Sequence, residues 1–102
     1  MMDIKALQKR AYANKVAKGF NVTDVYQELN FIHQEISELF LAYLKKKDDL
    51  GEELADVMIY LLGLAEILKV DLETELQKKI EKNERREYGK NNKGILERTK
   101  EG

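Results

Sequence analysis

The chain has 102 residues, which is room for one domain with a single hydrophobic core. Its 18 basic and 19 acidic residues leave a formal charge of −1, so there is no general attraction for a nucleic acid polymer. The absence of cysteine excludes disulfides and thiolate metal sites, and no apolar run is long enough to cross a membrane. Since the first residues, MMDIKALQKR, do not resemble a signal peptide, we expect a cytoplasmic protein.

Helices are predicted throughout, because proline is absent and the stretches between the glycines are rich in Leu, Ala, Lys and Glu. The first helix is predicted from about Ile4 to Lys18. Asp3 is suited to cap its start, and Gly19 is suited to end it. No segment shows the period-two alternation that indicates a half-buried strand.

The second helix is predicted to follow Asn21 or Thr23 and to continue to about Lys46. Apolar residues recur along it with alternating spacings of four and three, which is the pattern of a helix that packs along one seam. The residues of this seam are Val25, Leu29, Ile32, Ile36, Leu39 and Tyr43.

The third helix is predicted from Asp48 or Asp49 to about Lys69 and has a seam of the same spacing. The residues of this second seam are Leu50, Leu54, Val57, Leu61, Leu64 and Leu68. Every residue from Val57 to Leu62 is apolar, so this helix must be buried on all sides, which one short chain can scarcely achieve. We therefore expect a homodimer or a homotetramer that forms through the central helices.

The fourth helix opens at Asp71, with Glu73 and Glu75 in its first turn and basic residues near its end, which suits the helix dipole. Short connections favour antiparallel neighbours, so the predicted fold is an all-α, four-helix antiparallel bundle. From Gly89 onward the sequence GKNNKGILERTKEG is mostly polar. We predict a domain of residues 1–88 followed by a polar tail of residues 89–102.

Two pairs of acidic residues with the same spacing lie on the two central helices. Glu35 and Glu38 each precede a seam residue of the second helix by one position, and Glu53 and Asp56 do the same in the third. Residues three apart on a helix point in similar directions. If the two seams face each other, the four carboxylates converge. Two like charges about 5 Å apart repel by roughly 3 kcal/mol at an effective dielectric of about 20.

A cluster of this kind suits a divalent metal ion, because carboxylate oxygens are typical ligands of Mg²⁺ and Mn²⁺. The ion can then bridge phosphates. A di-iron centre would need Glu-x-x-His motifs. The only histidine is His33, and the residue three positions before it is Asn30 rather than a glutamate. Acidic pairs are also common on solvated helix faces. The spacing therefore leaves open a non-enzymatic helical interaction module whose acidic cluster binds nothing.

The segment HQEISE, His33 to Glu38, and the segment ELADV, Glu53 to Val57, resemble the ExxE and ExxD signature of MazG-like pyrophosphohydrolases. These enzymes belong to the all-alpha NTP pyrophosphatase superfamily. The stretch KIEKNERR, Lys79 to Arg86, is similar to the family's K-x-x-K-N-x-x-R segment. The resemblance extends from about Gly19 to Tyr88.

The resemblance implies an enzyme that hydrolyses a nucleoside or deoxynucleoside triphosphate to the monophosphate and pyrophosphate, a reaction that clears unwanted nucleotides from the cellular pool. It also implies a Mg²⁺ cofactor, for which Mn²⁺ can substitute. The implied metal ligands are Glu35, Glu38, Glu53 and Asp56. The proton of the attacking water would pass to Glu35 or Glu38, and the sequence leaves this choice open.

The same resemblance implies that Lys79, Asn83 and Arg86 contact the phosphates or the sugar. Their spacing of i, i+4 and i+7 puts them on one face of the fourth helix. Aromatic residues available to stack on a nucleobase are Phe20, Phe31 and Tyr88.

Gln34 departs from the family pattern, since many members have a second glutamate at this position, and substrate choice is the property it would affect. Relatives within the superfamily leave two further activities open. One is a phosphoribosyl-ATP pyrophosphatase, and the other is a dUTPase-like enzyme.

Overall fold

The computed structural model describes residues 3–100. Its elements are α1 (Ile4–Ala17), α2 (Val25–Leu44), α3 (Leu50–Ile67), α4 (Leu72–Arg85), β1 (Glu87–Lys90) and β2 (Leu96–Lys100). The predicted all-α class and its four helices are confirmed, whereas the two short strands after α4 were not predicted. The chain divides into two compact units between Leu72 and Glu73. None of the helices within residues 3–100 has the length and apolar character that a membrane crossing requires.

The N-terminal cap of α1 is the predicted residue, whereas that of α2 is not. Asp3 caps α1 as predicted, since its carboxylate accepts hydrogen bonds from the backbone N–H groups of Lys5 and Ala6. The cap of α2 is Asp24, not Asn21 or Thr23. The Asn21 side chain instead accepts a hydrogen bond of 3.0 Å from the Asp24 backbone N–H and so holds the turn that precedes the helix.

Within the first unit, α3 packs against both α1 and α2. Residues 45–49 form the short connection that makes α2 and α3 antiparallel neighbours. The buried apolar residues of this unit are Ile32, Ala42, Leu62, Leu64 and Ala65. This core is small, as expected for three helices of modest length.

The inward-facing stripe of α2 differs from the predicted apolar seam. Three seam residues are well exposed: Leu29 (41%), Ile36 (48%) and Tyr43 (71%). Val25, Ile32 and Leu39 of the seam are buried or half-buried as predicted, whereas the residues one position before the three exposed ones, Glu28, Glu35 and Ala42, are turned inward. The prediction was wrong at Leu29, Ile36 and Tyr43 because it counted only apolar side chains, whereas two glutamates lie in the inward-facing stripe.

A buried ion pair connects the three helices of the first unit. Glu28 on α2 is fully buried, and its Oε1 lies 2.5 Å from the Nζ of Lys15 on α1. Its Oε2 accepts a hydrogen bond of 2.9 Å from the Nδ2 of Asn21. The Lys15 ammonium also lies 5.0 Å from the ring centre of Tyr60 on α3. Gly63 leaves room for the lysine, because a Cβ there would lie 3.1 Å from the Lys15 side chain.

In the second unit, β1 and β2 form an antiparallel hairpin in which Tyr88 pairs with Arg98 and Lys90 with Leu96. The Asn91 side chain closes the turn by accepting hydrogen bonds from the backbone N–H groups of Lys93 and Ile95. The predicted polar tail, residues 89–102, is therefore folded as far as residue 100, and residues 101–102 lie outside the described part. The sequence of β2 does not alternate between apolar and polar residues, because this strand is exposed along its whole length and has no buried face.

The buried ion pair leads to a prediction about stability. Lys15→Met leaves the Glu28 carboxylate buried without a counter-ion, and the free energy of unfolding should fall by about 3–5 kcal/mol. The double variant Lys15→Met/Glu28→Leu should recover most of this loss, because apolar side chains of similar size then replace both charges. Urea unfolding of the single and double variants measures the effect. A double variant as unstable as Lys15→Met would contradict the prediction.

Candidate active site

Three of the four predicted carboxylates converge between α2 and α3. Glu35, Glu38 and Glu53 each offer a carboxylate oxygen, and these three oxygens all lie within 4.8 Å of one another. Glu35 and Glu38 are one turn apart on α2, so helical geometry alone brings them together. Glu53 joins them from the first turn of α3, because α2 and α3 pack against each other.

The fourth predicted carboxylate, Asp56, lies beside this group of three rather than within it. It follows Glu53 by one turn of α3 and is half-buried. Its negative charge contributes to raising the pKa of both Glu35 and Glu53, so its carboxylate is close to both.

The electrostatics of the cluster are unfavourable for the protein alone. Burial, followed by the charges of Glu38 and Asp56, raises the pKa of Glu35 above its usual value. Burial, followed by the charges of Asp49 and Glu38, likewise raises the pKa of Glu53. One oxygen of Glu35 and one of Glu53, the Oε2 in both, are buried without a hydrogen-bond partner among the described residues. Carboxylate oxygens in this state fit a divalent cation as the missing partner.

Asp49 is a fifth acidic residue at the cluster, which the sequence interpretation considered only as a possible helix start. It occupies the N-cap position of α3, but its side chain makes no capping hydrogen bond. Its Oδ1 is buried without a hydrogen-bond partner among residues 3–100, and its charge helps to raise the pKa of Glu53. The sequence could have indicated that Asp49 belongs to the cluster, because Asp49 precedes Glu53 by four positions and so lies on the same side of the helix.

Tyr60 is a second residue that the sequence interpretation did not assign to the site. It follows Asp56 by one turn on α3. Burial, and then the charges of Glu35 and Glu28, raise the pKa of its phenol above the usual value. Tyr60 is therefore close to the carboxylate cluster as well as to the buried ion pair, and its hydroxyl remains protonated and able to donate a hydrogen bond.

A cavity of about 250 Å³ opens beside Tyr60 in the first unit. The residues that line it are Lys15, Phe20, Asn21, Gln27, Phe31 and Tyr60. The rings of Phe31 and Tyr60 lie 6.0 Å apart at an interplanar angle of 51°. Two of the three aromatic residues considered for nucleobase stacking, Phe20 and Phe31, thus line one cavity, whereas Tyr88 belongs to the second unit.

The three predicted substrate-binding residues lie together on α4 and its C-terminal end in the second unit. The Nη1 of Arg86 donates a hydrogen bond of 3.0 Å to the Oδ1 of Asn83. The positive charge of Arg86 is the largest influence that lowers the pKa of Lys79, which indicates that these two cations are close. Arg86 is half-buried, whereas the neighbouring Arg85 is exposed.

Comparisons with known proteins give the family of the chain and a solved structure of the same fold. The sequence model of the MazG-like family matches residues 29–101. A solved structure with the same fold is the cyanophage S-2L MazG-like pyrophosphohydrolase, bound to dGDP and three catalytic Mn²⁺ ions per active site. It is 23% identical to this chain, with a TM-score of 0.68 over 96% of this chain and 98% of that chain. A search of curated proteins gave no match.

The carboxylate cluster should make the metal-free protein less stable at neutral than at acidic pH. Because the pKa of Glu35 and that of Glu53 lie above 4.5 in the folded chain, the folded state holds these protons more tightly than the unfolded chain does. The stability that these two groups contribute is fully present below pH 4.5 and is lost as the pH rises through their folded pKa values.

The variant Glu35→Gln/Glu53→Gln lacks this titration, so its stability relative to the unaltered protein should increase from about pH 4 to about pH 8. Urea unfolding in the presence of EDTA measures this difference. A difference that stays constant over the range would show that the two carboxylates do not repel their neighbours.

Proposed function

Because the chain belongs to the MazG-like family, we propose that it is a divalent-metal-dependent pyrophosphohydrolase that converts a nucleoside or deoxynucleoside triphosphate to the monophosphate and pyrophosphate. The observation that carries this proposal is the convergence of the Glu35, Glu38 and Glu53 oxygens within 4.8 Å. A cluster of like charges with unpartnered oxygens lowers the stability of the protein alone and becomes favourable when a cation binds.

The proposed metal ligands are Glu35, Glu38, Glu53 and Asp56. The donor set contains only carboxylate oxygens, which suits Mg²⁺, with Mn²⁺ as a substitute. A divalent cation bound there would neutralise the polyphosphate and lower the pKa of the attacking water. Asp49 adds to the negative potential at the cluster through its buried oxygen.

The protein's own side chains would carry the proton and orient the substrate. Glu35 or Glu38 accepts the proton of the attacking water, since both lie on the same side of α2 at the cluster. The Tyr60 hydroxyl, which like any tyrosine hydroxyl is protonated at neutral pH, is available as a hydrogen-bond donor to a phosphate oxygen. Lys79, whose charge complements polyphosphate, is proposed to bind the phosphates together with the two polar residues that share its helical face, Asn83 and Arg86.

The aromatic cavity is the proposed location of the nucleobase. Phe20, Phe31 and Tyr60 offer flat apolar surface, and Gln27 offers an amide group. A base that enters this cavity would stack on aromatic rings. Tyr60 contributes to both the cavity and the surroundings of the carboxylates, which supports a substrate that extends from one to the other.

A second copy of the chain is proposed to cover the outer face of α2. Ile36, Phe40 and Leu44 recur every four residues on that helix and are 48%, 64% and 64% exposed. Such a continuous apolar stripe on an otherwise highly charged chain is typical of a subunit interface. The proposed assembly is a homodimer or a homotetramer.

The enzymatic proposal is tested by removing one ligand. Glu53→Gln should reduce kcat/KM by at least about 100-fold, which equals about 2.7 kcal/mol of transition-state stabilisation. The stability of the metal-free variant should be unchanged or slightly raised, because the substitution removes a repelling charge. The measurement is pyrophosphate release from a panel of ribo- and deoxyribonucleoside triphosphates with Mg²⁺, with Mn²⁺ and with EDTA.

The matched control is Glu52→Gln, which removes the same charge from the neighbouring exposed position on α3. It should change kcat/KM by less than about threefold, since its carboxylate is not in the cluster. Equal losses in the two variants, or full activity of Glu53→Gln, would remove the cluster from the reaction.

The assembly is tested by the molar mass in solution. Sedimentation should give a multiple of the 11.9 kDa subunit mass, and Phe40→Lys should shift the protein towards the monomer, because it places a charge in the apolar stripe. Val16→Lys is the control, since Val16 is 53% exposed but lies on α1. A monomeric unaltered protein would refute the proposed interface.

A further inference from the structure

Lys15 is a buried cation in the wall of the aromatic cavity. Only 8% of the residue is exposed, and it lines the cavity together with Tyr60. Its stem packs against α3, because a Cβ at Gly63 would lie 3.1 Å from both its Cδ and its Cε. Its ammonium lies 5.0 Å from the centre of the Tyr60 ring. The charged end of Lys15 is therefore the part of the side chain that lies beside the cavity.

The ammonium of Lys15 has unused capacity to donate hydrogen bonds. An ammonium carries three N–H donors. Within residues 3–100 its polar partner is one carboxylate oxygen, the Oε1 of Glu28, and Tyr60 presents the face of its ring. A buried donor without a partner costs free energy, and a ligand that supplies an acceptor removes this cost.

The groups around the ammonium make this part of the cavity wall a donor rather than an acceptor. Glu28 is fully buried and is not among the residues that line the cavity. The Asn21 amide is occupied, because its Nδ2 donates to Glu28 and to the backbone oxygen of Asp24, and its Oδ1 accepts from the Asp24 backbone N–H. The amide of Gln27 both donates and accepts, so it does not discriminate between ligands.

We propose that Lys15 selects nucleobases that carry a carbonyl oxygen where adenine and cytosine carry an amino group, namely guanine, hypoxanthine, uracil and thymine. The inference rests on the proposed function, and it names the class of base that the aromatic cavity takes. Aromatic rings beside the ammonium favour a flat base over a phosphate.

The orientation of the base follows from its attachment to the sugar. The sugar has to stay connected to the phosphates outside the cavity, so the edge of the base opposite the sugar enters first. On that edge a carbonyl oxygen accepts a hydrogen bond from the Lys15 ammonium, whereas an amino group places one donor against another.

The first measurement compares nucleotides that differ at this edge of the base and uses the unaltered protein. Inosine triphosphate should be hydrolysed with a kcat/KM at least about tenfold higher than that of adenosine triphosphate. Uridine triphosphate should exceed cytidine triphosphate by the same factor. A tenfold ratio corresponds to about 1.4 kcal/mol, which is the order of one hydrogen bond to a charged group. A smaller ratio in either pair would overturn the inference.

The second measurement assigns the preference to Lys15. The double variant Lys15→Met/Glu28→Leu removes the ammonium without leaving a buried carboxylate unpaired. It should hydrolyse inosine and adenosine triphosphate with similar kcat/KM, because the first loses a hydrogen bond and the second loses an opposing donor. If circular dichroism shows this variant to be unfolded, Lys15→Met/Glu28→Gln replaces it with the same expectation.

The matched control is Lys18→Met, which removes the same charge from the exposed C-cap of α1. It should retain the preference of the unaltered protein. A folded double variant that also retains this preference, or a control that loses it, would overturn the assignment to Lys15.

Calorimetric titration with inosine and adenosine monophosphate in Mg²⁺ separates this inference from the enzymatic proposal, because it needs no hydrolysis. Inosine monophosphate should bind at least about tenfold more tightly. If triphosphates are hydrolysed without a preference within the two pairs, the inference fails and the enzymatic proposal stands. If no triphosphate is hydrolysed, the titration alone decides: a preference that depends on Lys15 supports the base site while the enzymatic proposal fails, and equal or absent binding overturns both.

Discussion

The ion pair between Glu28 and Lys15 sets the arrangement of the first unit. A carboxylate removed from water costs several kcal/mol unless it is paired and hydrogen-bonded, and Glu28 has both an ammonium and an amide partner. These partners come from α1 and from the turn before α2, so the pair fixes the rotation of α2 about its own axis. Glu35 follows Glu28 by two helical turns on the same side. The rotation that buries Glu28 therefore also turns Glu35 towards α3, where Glu53 meets it.

The two groups of buried charge in this unit differ in how they are balanced. Glu28 is neutralised by Lys15, so its burial leaves no uncompensated charge between the helices. The carboxylates of Glu35 and Glu53 face other carboxylates, and their raised pKa values reflect that repulsion together with burial. Such an arrangement is electrostatically unfavourable for the protein alone, and a bound cation would offset the repulsion. Tyr60 contacts the first group and lies near the second, so the ion pair also helps to set the shape of the surroundings of the cluster.

Although the net charge of the chain is close to zero, its acidic and basic side chains are concentrated in different places. Acidic side chains concentrate where α2 meets α3, and the second unit gathers cations on one face of α4 and on the hairpin. The acidic group has the chemistry of a cation site, whereas the basic face of α4 has the charge that suits an anion. Net charge alone excluded a general affinity for nucleic acid polymers, but it carried no information about a small anionic ligand.

Helical periodicity and composition determined the local features, because they depend only on neighbours in the chain. The four helices and the adjacency of Glu35 with Glu38 and of Glu53 with Asp56 were predictable in this way. The inward face of α2 was not, since the burial of Glu28 depends on Lys15, which lies on another helix. Likewise, only strand pairing brought Arg98 opposite Tyr88. Periodicity fixes the angles between residues of one helix, whereas the rotation of that helix, and with it the composition of the site, is decided by partners that are distant in sequence.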